Sequence, residues 1–335
     1  MLKPSLAAIA ATFLVLLAAA CGGTGETASD GSGGANLTLV AYSTPREAYE
    51  ELIPMFAETP EGRGVTFDES YASSGEQSRA VEAGLPADVV AFSLAPDITR
   101  LVDAGLVADD WADDEYEGMV TNSVVVLVVR KGNPKNVGGW DDLVRDDVEV
   151  INPNPFTSGG ARWNVMAAYG AQLQEGKSEE EAVEYLRQVF ANIAVQDKSA
   201  RESLATFTGG KGDILLAYEN EAIFAQQAGE EIDYIVPDET ILIENPVAVT
   251  TESNAPEKAQ AFVDFARTPE AQRVFGENGY RPVNEDVAGE FDFPTPSSLF
   301  TIEEFGGWDA VMSEFFDREE GIMADIERDL GVPIE

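Results

Sequence analysis

Histidine is missing from all 335 positions. With it go the usual general base, the commonest transition-metal ligand and the ordinary pH switch near neutrality. Cysteine occurs once, at Cys21, so no intrachain disulfide can form and packing must hold the fold. Basic residues are scarce: 21 Lys and Arg stand against 61 Asp and Glu, a formal charge of −40. The acids run along the whole chain instead of gathering in a tail, and a surface of that sign excludes nucleic acid as a partner. The balance fits a generally solvated acidic surface or, the preferred reading, adaptation to high salt, where like-charge repulsion is screened. Beyond the first twenty residues no stretch stays apolar long enough to cross a bilayer. The acidic run Asp109 to Glu117 lacks the spacing and the glycine of a calcium loop and reads as a solvated loop. Neither a metal site nor a cofactor is expected.

What remains is ordinary globular material, 44% hydrophobic and 24% charged, long enough for two domains with a core each. Met1 to Ala20 reads as a secretory signal: Lys3 is a thin positive start and Leu6 to Leu17 a nearly continuous apolar run. Ala18-Ala19-Ala20-Cys21-Gly22 resembles a bacterial lipobox, so residues 1–21 are expected to be a lipoprotein signal peptide ending at a lipidated Cys21. Conventional A-x-A cleavage is the alternative. Residues 22–35, rich in Gly, Ser and Thr, suit a flexible linker. On this reading the protein is extracytoplasmic, at the cell surface or in the periplasm, and touches the membrane through its lipid anchor only.

From Asn36 onward, β-branched runs alternate with helical patterns, the signature of parallel α/β layers. Strands are expected at Leu37–Tyr42, Val65–Asp68, Asp88–Phe92, Val148–Ile151, Ile193–Gln196 and Ile214–Tyr218. Helices are expected at Pro45–Phe56, Gln77–Ala83, Ile98–Ala104, Ala161–Gln174, Glu179–Phe190, Glu221–Ala228, Pro256–Ala266 and Pro269–Asn278. Ser123–Arg130 and Ile241–Thr250 break the rhythm, being long, Val/Ile-rich and followed by no helix. Paired crossovers between two lobes have this form; a single sheet with two edge strands has it too. The crossover reading gives lobe I as residues 36–121 and 246–300, lobe II as 122–245, and a C-terminal helical tail over 301–335. Apolar residues from Trp308 to Ile326 at near-helical spacing predict a packing helix over 307–331.

Four strands run into Ser/Thr-capped helix starts. Thr44, Pro45 and Glu47 have the order of N-cap, first helical residue and capping-box partner; Ser74 with Gln77 and Ser199 with Glu202 have box spacing. The fourth start is Thr157-Ser158-Gly159-Gly160-Ala161. In parallel sheets such starts leave the same edge and converge on one crevice. Each carries unpaired amides and about half a positive charge, so a cluster of them makes an anion site without lysine or arginine. Two residues lacking Cβ at Gly159-Gly160 let the backbone approach a tetrahedral anion. A capped helix start is by itself usually structural; the joint occurrence is what points to a site.

Val40-Ala41-Tyr42-Ser43-Thr44-Pro45-Arg46-Glu47, Ser70 to Gln77, Arg130 to Lys135 and Asn152 to Asn164 together resemble the bacterial sulfate/thiosulfate-binding proteins of ABC importers. Ala217 to Ala222, Tyr280-Arg281-Pro282 and Phe300 to Trp308 extend the resemblance over about residues 37 to 310. It implies an α/β, two-lobed type II periplasmic-binding-protein fold, each lobe a mainly parallel sheet flanked by helices, with the cleft between lobes. It also implies a monomeric solute receptor that delivers sulfate to an ABC permease and its ATPase subunits. Carried over residue by residue, the ligand shell would be the backbone N–H groups of Ser43, Ser74, Gly159, Gly160 and Ala200 with the side chains of Ser158 and Tyr218. Ser43 stands where an aspartate is common, a change that leaves a main-chain contact intact. Tyr218 stands where a tryptophan is usual. An indole N–H only donates whereas a phenol also accepts, which leaves thiosulfate, phosphate and molybdate as alternative cargo. Tyr218 as a packing aromatic in the hinge is the bland reading. Trp140 and Trp163 are expected in the core or between lobes, and Arg162 and Arg201 as loop or cross-cleft partners rather than ligands. A hydrolase or transferase using Ser74 or Ser158 is the rival of another class, but no histidine, nucleophile elbow or lysine activates either serine.

Overall fold

The computed structural model describes residues 34–332 and 334. The expected signal segment, Cys21 and most of the linker lie outside the described residues. Among the described residues no helix is long and apolar enough to cross a membrane.

The chain first alternates strand and helix: β1 (Asn36–Tyr42), α1 (Arg46–Glu58), β2 (Thr66–Ala72), α2 (Ser74–Glu82), β3 (Val89–Ala91) and α3 (Ala95–Asp103). It then enters β4 (Met119–Arg130), a twelve-residue strand. A second alternating stretch follows, comprising β5 (Val150–Ile151), α4 (Gly159–Gln174), α5 (Glu179–Ala191), β6 (Ile193–Val195), α6 (Ala200–Thr208), β7 (Ile214–Tyr218) and α7 (Glu219–Gln227). After β8 (Ile232–Ile235), the long strand β9 (Glu239–Val249) leads to α8 (Pro256–Ala266), α9 (Pro269–Glu277), β10 (Arg281–Pro282) and α10 (Glu285–Ala288). The chain closes with β11 (Ser298–Phe300), α11 (Gly307–Phe315) and α12 (Ile322–Leu330).

The main strand order is β2-β1-β3-β9-β4-β7-β5-β6. β1 pairs in parallel with β2 and β3, and β5 in parallel with β6 and β7, giving two parallel triplets. Between them β9 and β4 run antiparallel to each other and to the strands they flank. The segments that broke the rhythm are therefore central strands that join the halves, not edge strands. Val124 to Val128 in β4 are fully buried, and their alternate side chains serve different cores. Val125, Leu127 and Val129 pack with α4, α5 and the tail, while Val124, Val126 and Val128 pack with Phe207 and Leu215. Burial on both faces explains the unbroken Val/Leu run. The first triplet is covered likewise: Leu37, Leu39 and Ala41 pack against α1, α8 and α9, and Val40, Val90 and Phe92 against α2 and α3.

Several expectations are revised: β2 runs on to Ala72, α2 begins at Ser74, α3 at Ala95 and β4 at Met119. The packing helix of the tail is two helices, because Asp317 closes a turn: its Oδ1 accepts the amides of Glu319 and Glu320, and its carbonyl that of Gly321. Phe315, Met323 and Ile326 still bury in the core around α4. Residues 298–300, expected with the first lobe, pair in parallel with Glu239–Ile241, and Phe300 is buried in that same core. Part of the acidic run is structural rather than solvated: Asp114 bonds Arg267 at 2.7 Å and accepts the Tyr116 and Gly118 amides. Among the described residues no acidic cluster has metal-binding geometry.

Candidate functional site

The inner ends of both triplets meet over one small, tight cavity. Ser43, Ser74, Ser158, Gly159, Gly160, Ala200 and Tyr218, all seven residues singled out in the sequence, line it. Ser43 and Ser74 come from the first half of the sheet; the rest come from the second. No charged side chain contributes to the wall. A larger open hollow of about 980 Å³ lies beside Asp110, Asp113 and Asp114, but carboxylates make it unsuited to an anion.

Helix geometry supplies the donors. Ser74 is the first residue of α2, Gly159 and Gly160 the first two of α4, and Ala200 the first of α6. Amides at these positions have no acceptor within their own helix, and three positive helix ends thus face one space. Local capping differs from helix to helix. Ser199 and Glu202 form the full box expected of them. Ser158 caps α4, its Oγ accepting the Ala161 amide at 3.3 Å, which leaves its O–H free to donate. Ser74 is not a cap: its Oγ donates to Asp97 Oδ2 at 2.6 Å and accepts the Ser93 amide at 3.0 Å. Its hydroxyl is committed, which leaves its first-turn amide as the unpaired group. Thr44 is not a cap either, since Pro45 precedes α1 without a side-chain bond and Thr44 Oγ1 pairs with the Tyr280 hydroxyl at 2.9 Å.

Tyr218 is buried at the N-terminus of α7, with its hydroxyl 2.6 Å from Ser93 Oγ. Burial pushes its ionisation far above the ordinary phenol range, so it is neutral. Two hydroxyls bonded to each other hold two protons and use one between them. Whichever donates, one O–H of the pair is left over, and both residues line the cavity. Ser93 was missed in the sequence: it follows Phe92 without a capping box, although it too sits between a strand and a helix, α3, that carries proline in its first turn. Tyr42 was also missed. Its buried hydroxyl lies near those of Thr44 and Tyr280 without a hydrogen-bond partner, and burial again raises its pKa. A strand-end tyrosine gives no sequence signal of its own.

The two glycines act differently. A Cβ on Gly159 would lie 2.1 Å from Leu94 Cδ2 and 2.7 Å from Ser93 Oγ, so this residue is bare because the halves touch there. A Cβ on Gly160 would meet Ser158 Oγ, Tyr218 Cε1 and Ala200 Cβ at 3.5–3.6 Å. All three belong to the cavity wall, so Gly160 keeps the cavity open.

Charged contacts between the halves surround the cavity. Arg201 on α6 bonds both oxygens of Glu47 on α1 at 2.7 and 2.9 Å, the Thr44 carbonyl at 3.0 Å, and the buried Glu221. Arg162 lies 4.0 Å from Asp97, and Trp163 Nε1 donates to the Ser93 carbonyl at 2.8 Å. Arg162, Arg201 and Trp163 thus pair across the junction, while Trp140 is core, its Nε1 donating to the Glu239 carbonyl. As for the serines, Ser74 Oγ is held by Asp97 and the Ser93 amide and Ser158 Oγ by the Ala161 amide.

Residues 37–281 match the family described as bacterial extracellular solute-binding protein. The sulfate-binding protein of Synechococcus elongatus is 44% identical over 318 residues, 91% of each chain. The thiosulfate-binding protein of Pseudomonas aeruginosa is 34% identical, covering 84% of this chain and 89% of the relative. Among solved structures, the sulfate-binding protein SubI from Mycobacterium tuberculosis superposes with a TM-score of 0.82 at 42% identity, covering 84% of this chain and 100% of that one.

Proposed function

This chain belongs to the sulfate-binding family of bacterial extracellular solute-binding proteins, and we propose that it captures sulfate in the cavity between its halves and hands it to an ABC importer. It is a transport receptor and not an enzyme. The observation that carries the reading is the convergence of unpaired amides from α2, α4 and α6, with the Ser158 and Tyr218–Ser93 hydroxyls, on one cavity without a charged side chain.

The proposed ligands are the amides of Ser43, Ser74, Gly159, Gly160 and Ala200, the Ser158 hydroxyl, and the one proton that Tyr218 and Ser93 present together. Sulfate at neutral pH has only acceptors to offer, so a wall of donors satisfies it completely. Hydrogenphosphate brings a proton that needs an acceptor, and leaving it unmatched costs about 1–3 kcal/mol. The oxygens of Tyr218 and Ser93 retain lone pairs, which makes that penalty smaller than an indole in the same place would impose. The lobes, 36–121 with 246–297 and 122–245 with the tail, would close about β4 and β9, and binding shifts the equilibrium toward the closed form that the permease recognises. The N-terminal segment would tether the receptor outside the cell through Cys21, and the acidic surface would suit a saline habitat.

Calorimetric titration with sulfate, thiosulfate, phosphate and molybdate tests the reading. One sulfate should bind with the largest affinity and phosphate should trail. Tighter binding of phosphate would overturn the cargo, and no heat with any of the four would overturn the receptor.

A further inference from the structure

On the other side of the α4 N-terminus, where the two halves meet the tail, lies an open groove of about 1220 Å³. Four arginines line it: Arg79 of α2, Arg100 of α3, Arg162 of α4 and Arg318 of the turn between α11 and α12. That is four of only 21 basic residues in a chain of charge −40, so they stand out against everything around them. Arg162 is 5% exposed, and its Nη1 has no hydrogen-bond partner; neither has the buried Arg100 Nε. An unpaired buried guanidinium nitrogen is costly.

Some neighbouring acids already face the cluster and others are committed elsewhere. Asp317 and Glu319 belong to the groove wall, but Asp317 Oδ1 holds the turn amides. Glu76 accepts the Ser73 hydroxyl, and Glu82 stands 3.6 Å from Arg100. Asp97 gives Oδ2 to Ser74, while its Oδ1 lies 4.0 Å from Arg162 Nη1, outside hydrogen-bond reach. Burial and then mutual repulsion with Arg318 and Arg100 lower the pKa of Arg79. Burial likewise lowers that of Arg162, with Asp97 opposing and the other three arginines adding to the fall. Binding an anion would relieve the repulsion.

We infer that this arginine groove is a second anion site, which takes a multivalent tetrahedral oxyanion of the sulfate class by charge, in contrast to the neutral donors of the cargo cavity. Arg79 and Arg100 come from the first half and Arg162 from the second, so the full cluster is assembled only while those surfaces are apposed. Guanidinium forks match the oxygen pairs of such an anion, and open charged sites are screened by salt far more than a buried cavity is.

Equilibrium dialysis of the full-length protein with radiolabelled sulfate at low chloride tests the site. Wild type should bind two sulfates per chain, one tightly and one weakly. Arg318→Gln and Arg100→Gln should each weaken the second class at least about tenfold and leave the first alone. Raising chloride from about 0.05 to about 0.5 M should erase only the weak class. Gly160→Ala should instead weaken the tight class and spare the weak one, so failure of the cargo reading and failure of the groove are told apart. Arg318 is exposed, and a thermal melt of that variant verifies that it folds. A single class in wild type, or a second class indifferent to both arginine variants, would overturn the inference.

Discussion

Adding one methyl group at Gly160 should raise stability and lower affinity, a pair of opposite signs that few substitutions produce. The Cβ of Gly160→Ala would stand 3.5 Å from Ser158 Oγ and Tyr218 Cε1 and 3.6 Å from Ala200 Cβ, distances of ordinary contact that strain nothing. Position 160 is the second residue of α4, where alanine is the better helix former and restricts the unfolded chain. The unliganded protein should therefore gain about 0.4–1 kcal/mol. The methyl group nevertheless occupies cavity space and pushes the anion off the α4 amides. Losing one hydrogen bond to a charged ligand costs about 1.5–3 kcal/mol, a weakening of about ten- to 150-fold. Gly159→Ala is the contrast: its Cβ would collide with Leu94 and Ser93 at 2.1 and 2.7 Å. It should hold the halves apart and abolish tight binding altogether. Thermal melts without ligand and calorimetry with sulfate check both variants. A Gly160→Ala protein that binds sulfate within about twofold of wild type, or melts earlier without it, refutes the assignment of this residue to the wall.

Glu47→Gln removes one arm of the Arg201 bridge while leaving Glu221 paired. A half-exposed pair of this kind is worth about 0.5–1 kcal/mol, so stopped-flow displacement should show sulfate leaving up to about fivefold faster with little change in association. Glu327 is fully buried, with Oε1 unpartnered, and burial raises its pKa above 4.5. The stability contributed by its neutral form is complete below about pH 4.5 and drains as pH climbs through the raised value. Glu327→Gln should thus melt later at neutral pH and lose that slope; an unchanged pH profile counts against it. Sulfate association should accelerate as chloride rises, because the repulsion of a dianion by a −40 surface fades as the Debye length shrinks from about 10 Å at 0.1 M to about 3 Å at 1 M. Stopped-flow rates that stay flat or fall would contradict this.

Much of this was legible in the chain because backbone rules decided it. The strands at Leu37–Tyr42 and Ile214–Tyr218 and the helices from Pro256 and Pro269 appear within a residue or two of expectation, since apolar periodicity and first-turn proline are local signals. All seven candidate residues line one cavity because parallel topology sends helix starts to a common edge. Tertiary partners overrode local chemistry elsewhere. Thr44 and Ser74 had the form of caps but bond Tyr280 and Asp97, more than twenty residues away. Ser93 supplies half of the Tyr218 hydroxyl pair, a contact 125 residues apart that no motif announces. The arginine groove was likewise invisible, drawing one residue from each of four separate segments.

A cavity wall without a charged side chain leaves recognition largely independent of the charge carried elsewhere on the molecule. A replacement at Ser43 keeps its backbone N–H, because every residue except proline carries one. The exterior can then drift to extreme acidity, or back, without renegotiating what the interior recognises. Habitat and selectivity become separately inheritable traits of one molecule.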